Sequence, residues 1–173
     1  MQEIILVDID GTTALGIGSH RKAWDYDKVG ADKPNHTVWQ MLEHLSRHYK
    51  LVFLSGRENV TFPGKSERKD KCYRRAYLEI NPEDNREYRN CFDLTRNWLK
   101  YWFNIYNINQ MVELYMREKG DNRQDSVVKK ELYYEHITDN YSVQLVLDDR
   151  DQVVKMWRND LGLICFQVAE GDF

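Results

Sequence analysis

Short apolar runs recur along the chain at residues 4–7, 51–54, 111–116, 143–147 and 163–168, each bounded by polar residues. Ile4-Ile5-Leu6-Val7 and Leu51-Val52-Phe53-Leu54 are uninterrupted, the pattern of strands buried on both faces at the centre of a parallel sheet. Between the runs the period changes to that of a helix. Val38, Met41, Leu42 and Leu45 follow the start signal Pro34-Asn35, and Leu94, Trp98, Leu99, Trp102 and Phe103 follow Asp93, which predicts a cap. Val127, Val128, Leu132 and His136 follow a second predicted cap at Asp125, and Val153, Val154, Met156 and Trp157 make a shorter helix. Strands alternating with helices predict an α/β fold with a parallel sheet and right-handed crossovers, so all strand C-termini share one edge. Ligands bind at that edge in such folds.

A length of 173 residues predicts one domain spanning 1–173, and 42% hydrophobic with 13% aromatic residues excludes a disordered chain. The net charge of −3 does not suit a general nucleic-acid binder, so any polyanion contact needs a local basic patch. Cys72, Cys91 and Cys165 are odd in number and form no CxxC pair, which suits a reducing compartment. No run is long enough to span a membrane and no secretory signal opens the chain, so the expectation is a soluble, cytoplasmic protein without a membrane partner.

What stands at the predicted strand ends carries the chemistry. The first run stops at Asp8, Asp10, Gly11 and Thr12; alternation along an extended chain lets Asp8 and Asp10 point to one side, and Gly11 permits a sharp turn. Such a cluster is also an ordinary turn signature, but two close carboxylates repel unless a cation compensates, and Mg2+ suits them. The second run ends at Ser55, Gly56 and Arg57, where a small hydroxyl and a glycine can accept a phosphate oxygen. The fourth ends at Asp148 and Asp149, and Lys129 lies one helical turn after Asp125, which would orient it. Residues 13–33 read as a flap from which Arg21 could reach a phosphate, although a solvated arginine fits equally.

Residues 57–75 are basic with interleaved aromatics, suited to single-stranded nucleic acid or simply to a solvated face. Gly64-Lys65-Ser66 is not a P-loop, because Asn59 stands where its first glycine belongs. The aromatic helix at 93–103 suits either a deep core or a subunit interface, which leaves a homo-oligomer open.

Taken together, the edge residues suit metal-assisted phosphoryl transfer. Asp8 would be the nucleophile, Asp10 the acid and then base, and Ser55 with Lys129 would stabilise equatorial oxygens. Asp8, the Asp10 carbonyl, Asp148 and Asp149 would hold the metal.

Asp8-Ile9-Asp10-Gly11-Thr12, Ser55, Lys129 and Asp148-Asp149 resemble, in order, the four motifs of the haloacid dehalogenase superfamily of phosphohydrolases. Within it the chain is similar to the 3′-phosphatase domains of bacteriophage polynucleotide kinase/phosphatases, through Ser55-Gly56-Arg57-Glu58, Leu147-Asp148-Asp149-Arg150, Met156-Trp157-Arg158 and Gly171-Asp172-Phe173. The resemblance implies a Rossmann-like three-layer sandwich around a central five-stranded parallel sheet, with a small flap after the first strand. It implies Mg2+-dependent removal of 3′-terminal phosphates from DNA or RNA through an aspartyl-phosphate, as in end healing. Asp8, Asp10, Asp125 and Lys129 would be catalytic, with Thr12, Arg21, Ser55, Gly56, Arg57 and Arg117 contacting the substrate and Asp8, Asp10, Asp148 and Asp149 at the metal.

The absence of a preceding kinase region predicts a stand-alone phosphatase, in the host cytoplasm if phage-encoded. Residues 65–92 exceed the family pattern and read as an inserted helical or loop region. A phosphatase of small nucleotides and a non-catalytic nucleic-acid-binding module are the rival readings.

Overall fold

The computed structural model describes residues 1–62, 79, 81 and 86–171. Its centre is β1 (Gln2–Val7), paired in parallel with β4 (Lys50–Glu58) on one side and β6 (Tyr141–Asp148) on the other. β5 (Glu113–Arg117) and β7 (Cys165–Gln167) complete a five-stranded parallel sheet in the order β5-β4-β1-β6-β7.

Side-chain alternation feeds two cores. Ile5, Val7, Leu51 and Phe53 face one layer, with α1 (His36–Leu45) and α2 (Cys91–Ile105); Ile4, Leu6, Val52 and Leu54 face the other, with α3 (Asp125–Leu132) and α4 (Asp151–Lys155). A strand apolar on both faces is stable only between two covering layers, and this is the predicted three-layer sandwich. The aromatic helix α2 is core: Trp98 lies 6.0 Å from Trp39 and Phe103 lies 5.8 Å from Phe53, ring to ring.

Several boundaries differ from the sequence reading. α2 begins at Cys91, because Asn90 is its cap: the Asn90 side chain accepts from the Asp93 backbone N–H at 2.7 Å and donates to the Asp93 carboxylate at 2.9 Å. Asp125 is the first residue of α3 and caps nothing, its carboxylate being engaged by arginines. The third strand starts two residues late, leaving Met111 exposed, and the helices α3 and α4 each run into a wide π-turn, at Tyr133–Ile137 and Met156–Asp160. Most of the proposed 65–92 insertion and of the 57–75 basic run lies outside the described residues, and the last two positions of that insertion, Cys91 and Phe92, are the start of α2.

The flap is a built element. β2 (Ala14–Leu15) and β3 (Lys33–Pro34) pair antiparallel, a 3-10 turn at Tyr26–Ala31 lies between them, and Ala14, Val29 and Asp32 are fully buried anchors. It stands over the C-terminal edge of the sheet.

Candidate active site

At that edge lies a cleft of about 160 Å³ whose walls divide into three groups of charge. The first surrounds Asp8 at the tip of β1. Lys129, from α3, donates to Asp8 Oδ1 at 2.6 Å and to Asp148 Oδ2 at 2.8 Å. Trp157 Nε1 and the Arg150 backbone N–H also donate to Asp148, both at 3.2 Å, and the Thr12 hydroxyl donates to Asp149 at 3.4 Å. One carboxylate oxygen from each of Asp8, Asp148 and Asp149 lies within 4.8 Å of the others, and all three residues are buried.

Among the described residues, three buried carboxylates therefore share a single ammonium. Burial opposes charge on Lys129, but Asp148 and Asp8 outweigh it and hold the lysine cationic. Burial, with repulsion from Asp148, pushes the Asp149 carboxyl up to about 6. Burial likewise raises Asp8 well above the usual carboxylate range, Lys129 opposing and Asp148 and Asp149 adding to the shift. Hard oxygen donors with an uncompensated negative charge fit a divalent cation such as Mg2+.

Gly11 makes the cluster compact. Its φ is +85°, and a Cβ there would stand 1.9 Å from Asp149 Oδ2, so both conformation and space exclude a side chain.

The second group is balanced, two guanidiniums against two carboxylates. Arg57 grips Asp10 with Nε to Oδ2 at 2.9 Å and Nη2 to Oδ1 at 2.7 Å, and Arg21 Nη2 also donates to Asp10 Oδ1. Behind them sits Asp32, fully buried. It accepts from Arg21 Nε and Nη2, each at 2.7 Å, and from Arg57 Nη2 at 2.6 Å, while Thr95 takes Arg57 Nη1 at 3.2 Å. Burial would raise the Asp10 carboxyl, yet the arginines pull it down to about 2. Asp8 and Asp10 thus line the same cleft with opposite surroundings.

Asp32 escaped the sequence reading because a lone acid in a glycine-bearing loop has no period and no motif. The nearest signal is its place at the end of the flap, just before the helix start Pro34-Asn35.

The third group is cationic. Asp125 accepts from Arg150 Nη1 at 2.6 Å and from Arg117 Nη2, and Arg117 Nη1 also donates to the carbonyls of Asp121 and Arg123 at 3.0 and 2.7 Å. Here one carboxylate answers two guanidiniums. The expected Asp125–Lys129 partnership is not what forms: both lie on α3, but Lys129 is drawn to two carboxylates and Asp125 to two arginines.

Residues 2–89 and 81–173 match the family model of the polynucleotide kinase PNKP phosphatase domain, of the haloacid dehalogenase class. The chain belongs to this family. It is 28% identical over 158 residues to a protein of Autographa californica nuclear polyhedrosis virus whose assigned name is bifunctional polynucleotide kinase/RNA ligase, covering 90% of this chain and 18% of the viral one. Two solved structures, of the Pnkp1/Rnl/Hen1 complex and of the Pnkp1/Rnl/Hen1 RNA repair complex, are each 30% identical with a TM-score of 0.68. They are covered over 48% and 44% of their length by 100% and 99% of this chain. The chain thus spans less than half of each of these relatives.

Most of the remaining predicted residues support the lining from behind. Thr12, Arg21 and Ser55 are almost fully buried; the Thr12 hydroxyl is turned to Asp149, and Ser55 Oγ accepts the Arg57 backbone N–H at 3.1 Å. Gly56 does line the cleft, and its role is spatial, since a Cβ there would lie 2.4 Å from Asp125 Oδ1. Arg117 lines the cleft as a wall residue already engaged by Asp125.

Proposed function

We propose that the domain hydrolyses 3′-terminal phosphates of DNA or RNA, with Mg2+ and through a phosphate ester of Asp8. The observation that carries this reading is the pairing of Asp8 and Asp10 in one cleft, Asp8 beside an acid cluster and Asp10 between two arginines. The likeness to relatives named for polynucleotide kinase and RNA repair supports a nucleic-acid end as the substrate.

Mg2+, held by Asp8, Asp148, Asp149 and the Asp10 carbonyl, would offset the repulsion between the Asp8 carboxylate and an incoming phosphate dianion. An Asp8 oxygen attacks phosphorus, the P–O3′ bond breaks, and the leaving oxygen takes a proton from Asp10. Resting Asp10 is ionised by Arg57 and Arg21. A bound phosphate offers those guanidiniums a competing anion, weakening their hold so that Asp10 takes up a proton from solvent before the P–O3′ bond breaks. Asp10 then accepts a proton from water as the water oxygen attacks phosphorus, the acyl phosphate bond breaks and orthophosphate leaves. Lys129 and Arg57, which line the cleft, counter the charge on the equatorial oxygens, and Arg21 adds its charge from behind them.

The test is phosphate release from a single-stranded oligonucleotide bearing a 3′-phosphate, with and without Mg2+, beside Asp8→Asn and beside 3′- and 5′-mononucleotides. Mg2+-dependent release lost in Asp8→Asn is expected. A marked preference for mononucleotides would overturn the polynucleotide reading, and no release from any ester would leave a binding module.

A further inference from the structure

Four of the five tryptophans are packed inside: Trp39 and Trp98 are fully buried, Trp157 is 1% exposed and Trp102 is 9% exposed. Trp24 is the exception at 69%, and it sits on the flap. The flap is anchored by Ala14, Val29 and the buried Arg21–Asp32 pair, so this exposed ring stands on a fixed platform. Its chain neighbour Ala23 and, on the same flap, Tyr26 and Ile17 line the catalytic cleft, and Ile17 is itself 38% exposed. The Lys22 ammonium lies 5.6 Å from the Trp24 ring centroid, a cation placed against the ring at the same rim.

The size of the cleft says what must lie outside it. About 160 Å³ admits a phosphoryl group and part of a sugar, well short of the several hundred Å³ that enclose a whole small ligand. The base attached to that sugar must rest on the rim. An exposed indole stacks on any nucleobase, because every base has a π face, and a neighbouring ammonium suits the backbone phosphate beside it.

We propose that Trp24, with Lys22 against the ring, is the stacking platform for the terminal nucleobase of the strand whose phosphate enters the cleft. This rests on the polynucleotide phosphatase reading and extends it. Trp24 does not touch the reacting atoms; it makes the site prefer a nucleotide end over a bare phosphate ester. The preference is blind to base identity, since stacking reads the ring and not its edge.

The test is a cycle between residue and base. Trp24→Ala, Trp24→Phe and the unaltered protein are assayed on an oligonucleotide with a 3′-phosphate and on the same oligonucleotide with an abasic terminal sugar. Trp24→Ala should raise KM roughly tenfold on the base-bearing substrate with kcat little changed, Trp24→Phe should recover most of that loss, and the abasic substrate should not distinguish the three. An equal KM for Trp24→Ala and the unaltered protein on the base-bearing end, or an equal loss on both substrates, would overturn the proposal. Binding of a labelled oligonucleotide to Asp8→Asn, with and without Trp24→Ala, gives a readout free of turnover. If the unaltered protein releases no phosphate from 3′ ends, the functional reading fails, while weaker binding in the double variant still supports the platform and equal binding overturns it.

Discussion

A single oxygen of Asp32, Oδ2, accepts from both Arg21, at 2.7 Å, and Arg57, at 2.6 Å, so one buried carboxylate sets the separation of the two guanidiniums that hold Asp10. Trp98 Nε1 donates to the Asp32 carbonyl at 2.9 Å and fixes the backbone beneath. Asp32→Ala leaves two buried arginines to share Asp10 and should cost about 3–5 kcal/mol in urea unfolding. Asp32→Asn keeps the shape but not the charge, and its kcat for phosphate release should fall roughly a hundredfold as the arginines lose their spacing.

Among the described residues Lys129 is the one cation bonded within the three-carboxylate cluster, so its removal should act on stability and on metal dependence together. Lys129→Met should lose about 3–5 kcal/mol without Mg2+. Added Mg2+ should raise the unfolding midpoint of this variant more than that of the unaltered protein. Phosphate release, measured at saturating Mg2+, should remain at least about a hundredfold down because the equatorial charge has lost its lysine.

Gly11 and Gly120 share a φ of +85°, but only Gly11 has a neighbour in the way. Gly120→Ala should therefore cost the left-handed conformation alone, about 1–2 kcal/mol, with catalysis intact. Gly11→Ala carries the same strain and also displaces Asp149, so turnover should vanish. Paired melting curves and phosphate-release rates check both.

Asp125→Asn tests the cationic wall. It removes the charge from two charge-assisted hydrogen bonds, each worth about 1.5–3 kcal/mol, so kcat/KM on a 3′-phosphate end should drop roughly tenfold or more. Because Lys129 has its own partners, Asp125→Asn should leave the Mg2+ dependence of stability unchanged.

Residues at strand tips were legible because the continuous apolar run stops there, and whatever polar group follows must face the shared edge. That is how Asp8, Arg57, Asp148 and Asp149 could be gathered before any coordinates. Asp32 could not be, since loop conformation leaves no period to read. The partners of Asp125 were misjudged for another reason: spacing on a helix says which residues share a face, whereas the contact made depends on which opposite charges the rest of the fold brings nearer. Asn90 displaced Asp93 as the α2 cap because both are capping residues and only local backbone geometry chooses between them.

Thr12 and Asp149 meet across 137 positions of sequence, and Asp8 and Lys129 across 121. No helix, hairpin or half of the sheet can hold this chemistry in miniature, because the central strand comes first and the strand bearing the acid pair comes late. Closing such long loops is slow and is rewarded only when the whole sheet is in register. Catalytic competence should therefore arrive in one step during folding, and a fragment cut anywhere between β1 and β6 is chemically silent. For the phosphatase proposed above, that means no half-made copy releases phosphate before the binding walls exist.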